Sequence, residues 1–273
     1  MTEFSALDAE ISDLMRFASE RSIMPRWRNL GSGDVEMKGE DDPVTVVDRE
    51  VEAFLTEALT KLAPGVAVVG EEAAAADPQV LEKLAEDCWI IDPIDGTSNY
   101  ARGEGHFAVM IALAHAGEAV AGWIYDPQRG RLCHARKGGG AFVDGVRLTA
   151  KTSAKAPPTL AAMKRFMTDD QRALFEDAIE PHYELVSPPG AAAEQYPLTA
   201  LGQHDVAIYE RTLAWDHAAG SLFLNEAGGA CLRLDGSPYR VDSAARGMIG
   251  AANRSLFDEI AARLQAAGYE PAA

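Results

Sequence analysis

The sequence predicts a layered α/β protein, with an α+β first half and an α/β second half. Three observations predict it. Apolar residues at helical spacing fill two early segments, 5–18 and 46–62. Between 106 and 150 the apolar period shortens toward two, and glycine-containing turns intervene, as in antiparallel strands. Beyond a Pro-containing break, short strand-like runs alternate with amphipathic segments. A helical bundle and an all-β sandwich are both excluded by this order.

Each element has its own signal. Ser5-Ala-Leu-Asp8 reads as a capping box, with Leu7, Ile11, Leu14 and Ala18 following at helical spacing. In the second helix Val47, Val51, Phe54, Leu55, Ala58 and Leu62 share a face, and Pro64-Gly65 ends it. Residues 66–69 form a short buried strand that runs into Gly70-Glu71-Glu72. Asp77-Pro78 opens a short helix, the aspartate capping and the proline in the first turn. Residues 88–91 make the next strand, and strands at 107–115, 119–125 and 131–135 follow. Asp144-Gly145 adds a hairpin.

The stretch 151–158, KTSAKAPP, reads as a linker between a domain at 1–150 and one at 151–273. After it come a segment at 159–165, a helix capped by Thr168-Asp-Asp-Gln171, a strand at 183–186 and a helix from about 191. A strand at 204–209, a helix at 215–227, strands at 231–234 and 248–251, and a helix from Arg254 complete the chain.

Composition narrows the function. Hydrophobic residues make up 47% of the 273, enough for a large core. Lys+Arg number 25 against Asp+Glu 42, a net charge of −17. Such a field repels nucleic acid and anionic membrane. It repels a phosphorylated substrate too, unless metal ions reverse the sign locally. Cys88, Cys133 and Cys231 are scattered and odd in number, so reduced, cytoplasmic thiols fit better than disulfides or a zinc knuckle. No basic start followed by an apolar core opens the chain, so no signal peptide is expected. The longest apolar run, 107–114, is too short for a bilayer.

The informative stretch is Trp89-Ile-Ile-Asp-Pro-Ile-Asp-Gly-Thr-Ser-Asn-Tyr100. An apolar strand runs straight into two aspartates, Asp92 and Asp95. With Glu71 after the preceding strand and Asp216 at the start of a later helix, four acidic positions fall at strand ends or helix starts. Ligands collect at strand ends in α/β sheets. An all-oxygen set without His or Cys suits a hard cation, magnesium before zinc. Pro93 stiffens the turn, Gly96 permits close backbone approach, and the free N–H groups of a helical turn starting at Thr97 suit a phosphate oxygen. Each feature alone has a plainer reading: Glu71-Glu72 as a solvated loop, Asp48 and Asp216 as helix caps, Asp95-Gly96 as a turn.

Together, DPVTVVDREVE (42–52), VVGEE (68–72), WIIDPIDGTSNY (89–100) and WDHAAGSLFLNEAGG (215–229) resemble the inositol monophosphatase family, in that family's order. The family lies within the magnesium-dependent, lithium-sensitive sugar-phosphatase superfamily. The resemblance implies a layered α/β/α/β/α sandwich of the inositol monophosphatase and fructose-1,6-bisphosphatase type, a homodimer, and phosphoric monoester hydrolysis. It implies two or three Mg2+ held by Glu71, Asp92, Asp95, Asp216 and the Ile94 carbonyl, with Asp92 bridging. Thr97, Asp48 and Glu71 would be catalytic. Asp95, the Gly96 and Thr97 amides, Gly190, Glu210 and Arg211 would meet the substrate, and Glu72 would stand behind the ligands. The chemistry is coherent by itself. A phosphate monoester hydrolyses very slowly, and two cations about 4 Å apart stabilise the entering and leaving oxygens together.

The substrate is less defined. The hydroxyl residue that often follows the family's pocket glycine is missing at Gly190-Ala191, and Glu210 is one residue too close to Asp216. Arg211 either pairs with a second phosphate or carboxylate of the substrate or lies at the surface. Lys38 reads as solvated, His106 and His217 as structural, and Trp27, Trp123 and 107–114 as core or dimer interface. Ser98-Asn99-Tyr100 leans toward the inositol and fructose branches, away from the nucleotide and histidinol branches, which more often carry a lysine after the threonine. Inositol monophosphate is the first candidate substrate, and a sugar bisphosphate or another small phosphorylated metabolite the alternative. A protein-binding regulator that keeps the fold is the rival from another class.

Overall fold

The computed structural model describes residues 3–39 and 42–271. The chain opens with α1 (Glu3–Ala18), which continues through a π-helical stretch into the single turn α2 (Met24–Arg26). Ser5 therefore lies inside the first helix and not at its cap. A hairpin follows, β1 (Val35–Gly39) and β2 (Asp42–Thr45), in a stretch that carries no strand pattern. Its first strand is mostly exposed, so it has no buried face to pattern. Helix α3 (Val46–Leu62) starts at a capping box between Thr45 and Asp48 and buries Val47, Val51, Leu55 and Leu59.

The first sheet has seven strands in the order β3-β4-β5-β6-β7-β8-β9. They are β3 (Ala67–Gly70), β4 (Cys88–Asp95), β5 (Ala108–His115), β6 (Glu118–Asp126), β7 (Arg131–Arg136), β8 (Gly140–Val143) and β9 (Val146–Leu148). Only β3 and β4 pair in parallel. Between them run α4 (Glu71–Ala76) and a 3₁₀ stretch capped by Asp77. Helix α5 (Thr97–Arg102) follows β4 directly. Asp144 and Gly145 both have positive φ, the two-residue turn that matches strand twist between β8 and β9.

The second sheet has the order β11-β10-β12-β14-β13. Its strands are β10 (Thr159–Ala162), β11 (Glu184–Val186), β12 (Val206–Tyr209), β13 (Ala230–Leu232) and β14 (Met248–Ala251). The helices of this half are α6 (Asp169–Ala178), α7 (Ala192–Ala200), α8 (Ala214–Glu226) and α9 (Arg254–Ala266). The segment before β10 has no regular structure. It is fastened by buried Asp205, which accepts from Ser153 N at 2.7 Å, Thr159 N at 2.8 Å and both hydroxyls.

Three apolar cores separate five layers. Trp89, Ile91, Val109 and Ile111 face α1 and α3. Cys88, Ile90, Met110 and Ala112 face the other way, onto Tyr196 of α7 and Phe223 and Leu224 of α8. Ala207, Tyr209 and Met248 of the second sheet close that same core. Leu160, Val206, Ile208 and Ile249 bury the outer face under Phe175 of α6 and Phe257 and Ile260 of α9. The order is α/β/α/β/α. Strand β4 is buried along its whole length, because both of its faces are covered.

The central helices sit unusually close to their neighbours. A Cβ on Gly122 of β6 would stand 2.7 Å from the Ala219 Cα of α8, and one on Gly220 would overlap the Tyr196 ring. At its far end α8 is held by Glu226, whose two oxygens accept from Gly138 N at 2.7 Å and Gly140 N at 2.8 Å. Among the described residues no helix is long and apolar enough to cross a membrane.

Candidate active site

Asp92 and Asp95 are three apart, so a regular strand would point them to opposite faces. The pairing of β4 with β5 resolves this. Asp92 lies opposite Met110 and Asp95 opposite Ala108, so Pro93 and Ile94 together face the single residue Val109. This bulge resets the alternation and turns both carboxylates toward α8. Asp92 keeps its turn tight by accepting from Ile94 N at 3.0 Å. Asp95 Oδ2 accepts from Ala193 N at 2.7 Å, in the first turn of α7.

Asp216 enters from the first turn of α8. One oxygen from each of Asp92, Asp95 and Asp216 lies within 4.8 Å of the others. Glu71 arrives by a different route. Parallel pairing sets Gly70 beside Ile91, so the residues that follow these strand positions emerge at the same sheet edge. Glu71 opens α4 there. The turn is fixed by Glu52, whose carboxylate accepts from Glu72 N and Ala73 N at 2.8 Å each. Glu52 lies inside the 42–52 motif, yet its role depends on a contact twenty residues away.

Crowding shows in the proton affinities. Burial first, then Glu71, Asp95 and Asp216, holds the Asp92 carboxyl well above its ordinary range. Asp95 is pushed up to about 7 by burial, against the lowering effect of the Ala193 and Ala192 amides. Glu71 rises to about 8 through burial and Asp216, opposed by Lys38. Asp48 rises to about 6 through burial, opposed by its bonds from Thr45. Such a set cannot carry all its charges without cations nearby.

Gly96 has φ 88, and a Cβ there would meet the His106 carbonyl at 2.6 Å. Only glycine allows the strand to turn directly into α5 at this point. Thr97 Oγ1 then lies 3.2 Å from Asp48 Oδ1 and 2.9 Å from the Ile94 carbonyl. Asp48 thus has two functions: its Oδ2 closes the capping box with Thr45 while its Oδ1 faces Thr97.

A cavity of about 480 Å³ opens over these groups. It is lined by Glu71, Asp92, Ile94, Asp95, Gly96, Thr97, Gly190, Glu210, Arg211 and Asp216 among others. Every candidate from the sequence is therefore at its wall except Asp48 and Glu72, which stand behind it. Glu210 lines the cavity, but its carboxylate is engaged by Tyr269 Oη and, at 3.4 Å, by Gln171 Nε2. Arg211 reaches in, with Nη2 3.7 Å from Asp216 Oδ2. Lys38 is not solvated as expected: its Nζ lies 2.7 Å from Glu71 and 2.9 Å from Glu72. His217 is structural, bonded to Tyr196 Oη at 2.8 Å and the Arg211 carbonyl at 2.9 Å.

Asn99 is a further residue of the cavity wall, beyond those the sequence points to. Its amide donates to the His106 carbonyl at 2.7 Å and the Pro189 carbonyl at 3.0 Å, tying α5 to the loop before α7. Its place in the central motif was the only available signal.

Comparison with known proteins shows the family and agrees with the fold. The sequence model of the inositol monophosphatase family matches residues 11–269. The inositol-1-monophosphatase of Bacillus subtilis (strain 168) is 30% identical over 243 residues, 88% of this chain and 89% of that one. A protein of Aquifex aeolicus (strain VF5) named fructose-1,6-bisphosphatase/inositol-1-monophosphatase is 32% identical over 259 residues, 92% of each. The crystal structure of extragenic suppressor protein suhB from Bartonella henselae superposes with a TM-score of 0.81 at 25% identity, covering 95% of this chain and 98% of that one.

Proposed function

The chain belongs to the inositol monophosphatase family and is a phosphoric monoester hydrolase, and from that premise we propose that it hydrolyses the phosphate ester of a small polyol or sugar. Inositol monophosphate is the first candidate. The observation that carries the reading is the convergence of Asp92, Asp95 and Asp216 oxygens within 4.8 Å.

The donor set fits magnesium: all oxygen, with Asp92 and Asp95 buried and Glu71 and Asp216 partly so, and with Glu71, Asp92 and Asp95 raised in proton affinity by burial first and by neighbouring carboxylates after it. Glu71, Asp92, Asp95, Asp216 and the Ile94 carbonyl would hold two or three ions. Bound magnesium would neutralise the ester and make water a better nucleophile. The remaining work falls to the chain. The Gly96 and Thr97 amides orient the phosphate. Thr97 aligns the attacking water and takes its proton at Oγ1, passing its own proton to Asp48 Oδ1, 3.2 Å away. An Asp48 with a value of about 6 suits that acceptor role near neutral pH. Glu71 orients the same water, and Glu72 supports it from behind through Lys38.

In this reading 1–150 and 151–273 are two domains that close on one site. The first supplies Glu71, Asp92 and Asp95, and the second supplies Asp216. The family resemblance also favours a homodimer, and three buried free cysteines suit a reducing cytoplasm.

The test is phosphate release from a panel of small phosphate esters, with magnesium and with excess EDTA. Release that needs magnesium and is greatest for polyol or sugar phosphates supports the reading. No release from any ester in the presence of magnesium would favour a regulator that binds a partner.

A further inference from the structure

The cavity wall also carries cations. Arg102, Arg165 and Arg211 all line it, in a chain of net charge −17. They are not equivalent. Arg102 donates to Asn99 Oδ1 at 2.8 Å and lies 3.6 Å from Glu104. Arg165 and Arg211 instead gather on one ring, their Cζ atoms 4.6 and 4.7 Å from the Phe166 centroid. The adjacent Lys164 turns away to Glu176, at 3.1 Å, and to Glu180. Arg211 reaches the edge of the carboxylate cluster through Nη2, 3.7 Å from Asp216, while its Nε is buried without a hydrogen-bond partner; among the described residues Arg165 has no carboxylate within ion-pair distance.

The groups that would read neutral hydroxyls are missing or engaged on this side. Position 191 is alanine, and the Glu210 carboxylate is held by Tyr269 and Gln171. Met163, Phe166, Pro188 and Pro189 supply apolar wall. Two guanidiniums stacked on a phenyl ring are fixed in orientation before anything binds, and their forks match phosphate or carboxylate oxygens.

We propose that Arg165 and Arg211, held on Phe166, form a subsite for a second anionic group. Among the small polyol and sugar phosphates the preferred substrate is then one whose other end carries a phosphate or a carboxylate, and it displaces inositol monophosphate as the first candidate. This rests on the phosphatase reading of the carboxylate cluster, which receives the ester being cleaved.

The experiment compares two matched pairs. Fructose 1,6-bisphosphate against fructose 1-phosphate reads a second phosphate, and 3-phosphoglycerate against glycerol 3-phosphate reads a carboxylate at the far end. In at least one pair, kcat/KM for the doubly anionic member should be higher on the order of ten- to hundredfold, the size of a charge-assisted fork. Arg165→Met should bring that ratio close to one, and Arg165→Lys should retain part of it. Arg165 is exposed, and a melting curve checks that the variant folds. Ratios near one in both pairs overturn the subsite and leave the phosphatase reading intact. No phosphate from any of the four overturns the phosphatase reading instead. Calorimetric titration with the same compounds then decides the subsite. Tighter binding of a doubly anionic member, lost in Arg165→Met, supports it, and equal binding refutes it.

Discussion

Gly70 and Glu52 compete for one space: a Cβ on residue 70 would overlap the Glu52 carboxylate. That carboxylate holds the Glu72 and Ala73 amides and so sets the first turn of α4, from which Glu71 projects. A missing methyl group in the strand thereby fixes the position of an acidic side chain in the cavity.

Gly70→Ala should consequently lose about 2–4 kcal/mol of stability, from overpacking plus a displaced buried carboxylate. Turnover should fall with it. Urea denaturation and phosphate release on the same preparation check both. A variant as stable as the parent would mean that Glu52 moves aside freely.

Asp92→Asn and Thr97→Ala should differ in kind. The first keeps shape but removes a charge from the most crowded carboxylate, so turnover should nearly vanish while the magnesium-free protein melts no lower than the parent. The second leaves every carboxylate in place and removes a proton relay, so turnover should fall on the order of 10²–10⁴-fold. If Asp92→Asn retains a tenth of the activity at saturating magnesium, the ligand assignment is wrong.

Magnesium should raise the melting temperature, because Asp92 and Asp95 come from the first sheet and Asp216 from a helix beyond 158. At a hundred times its dissociation constant, a ligand that binds only the folded state adds about 2.7 kcal/mol. Scanning calorimetry with magnesium and with EDTA reads it. An unchanged melting point would show that no ion joins the two halves.

Asp205 should give the linker an acid-sensitive anchor. Burial would raise its carboxyl, but the bonds from Ser153 and Thr159 outweigh burial and hold it below its ordinary 3.8. A depressed folded value means that its contribution is complete above 3.8 and is lost as pH falls through the folded value. Asp205→Asn should therefore cost about 1–3 kcal/mol at neutral pH. The deficit should shrink as the parent's carboxylate becomes protonated in acid. Urea midpoints of both proteins at neutral and acid pH measure it, and a deficit that widens in acid contradicts the assignment.

Most elements were legible because their borders carry local chemistry. Thr168 with Gln171 and Asp144-Gly145 act within a few residues. The carboxylates were legible because Asp92, Asp95 and Thr97 sit in one motif. The β1–β2 hairpin was not, since β1 is mostly exposed and leaves no alternation to read. Leu59 was missed on α3, although it is fully buried there. Glu52 with Glu72, Glu210 with Tyr269 and Arg165 beside Arg211 were illegible for a different reason. Each relation joins positions far apart in the chain, and only folding decides which charge finds which partner.

Helix α8 is fastened at both ends, by Asp216 in the cavity and by Glu226 on the amides of Gly138 and Gly140. Its thirteen residues span about 20 Å as a nearly rigid rod. Gly122 and Gly220 remove the slack along its sides. The helix therefore behaves as a lever with little play. A shift of the turn at 138–140, which joins β7 to β8, would act on the same rod that carries Asp216. The place of Asp216 is thus tied, through one helix, to a hairpin that takes no part in the cavity wall.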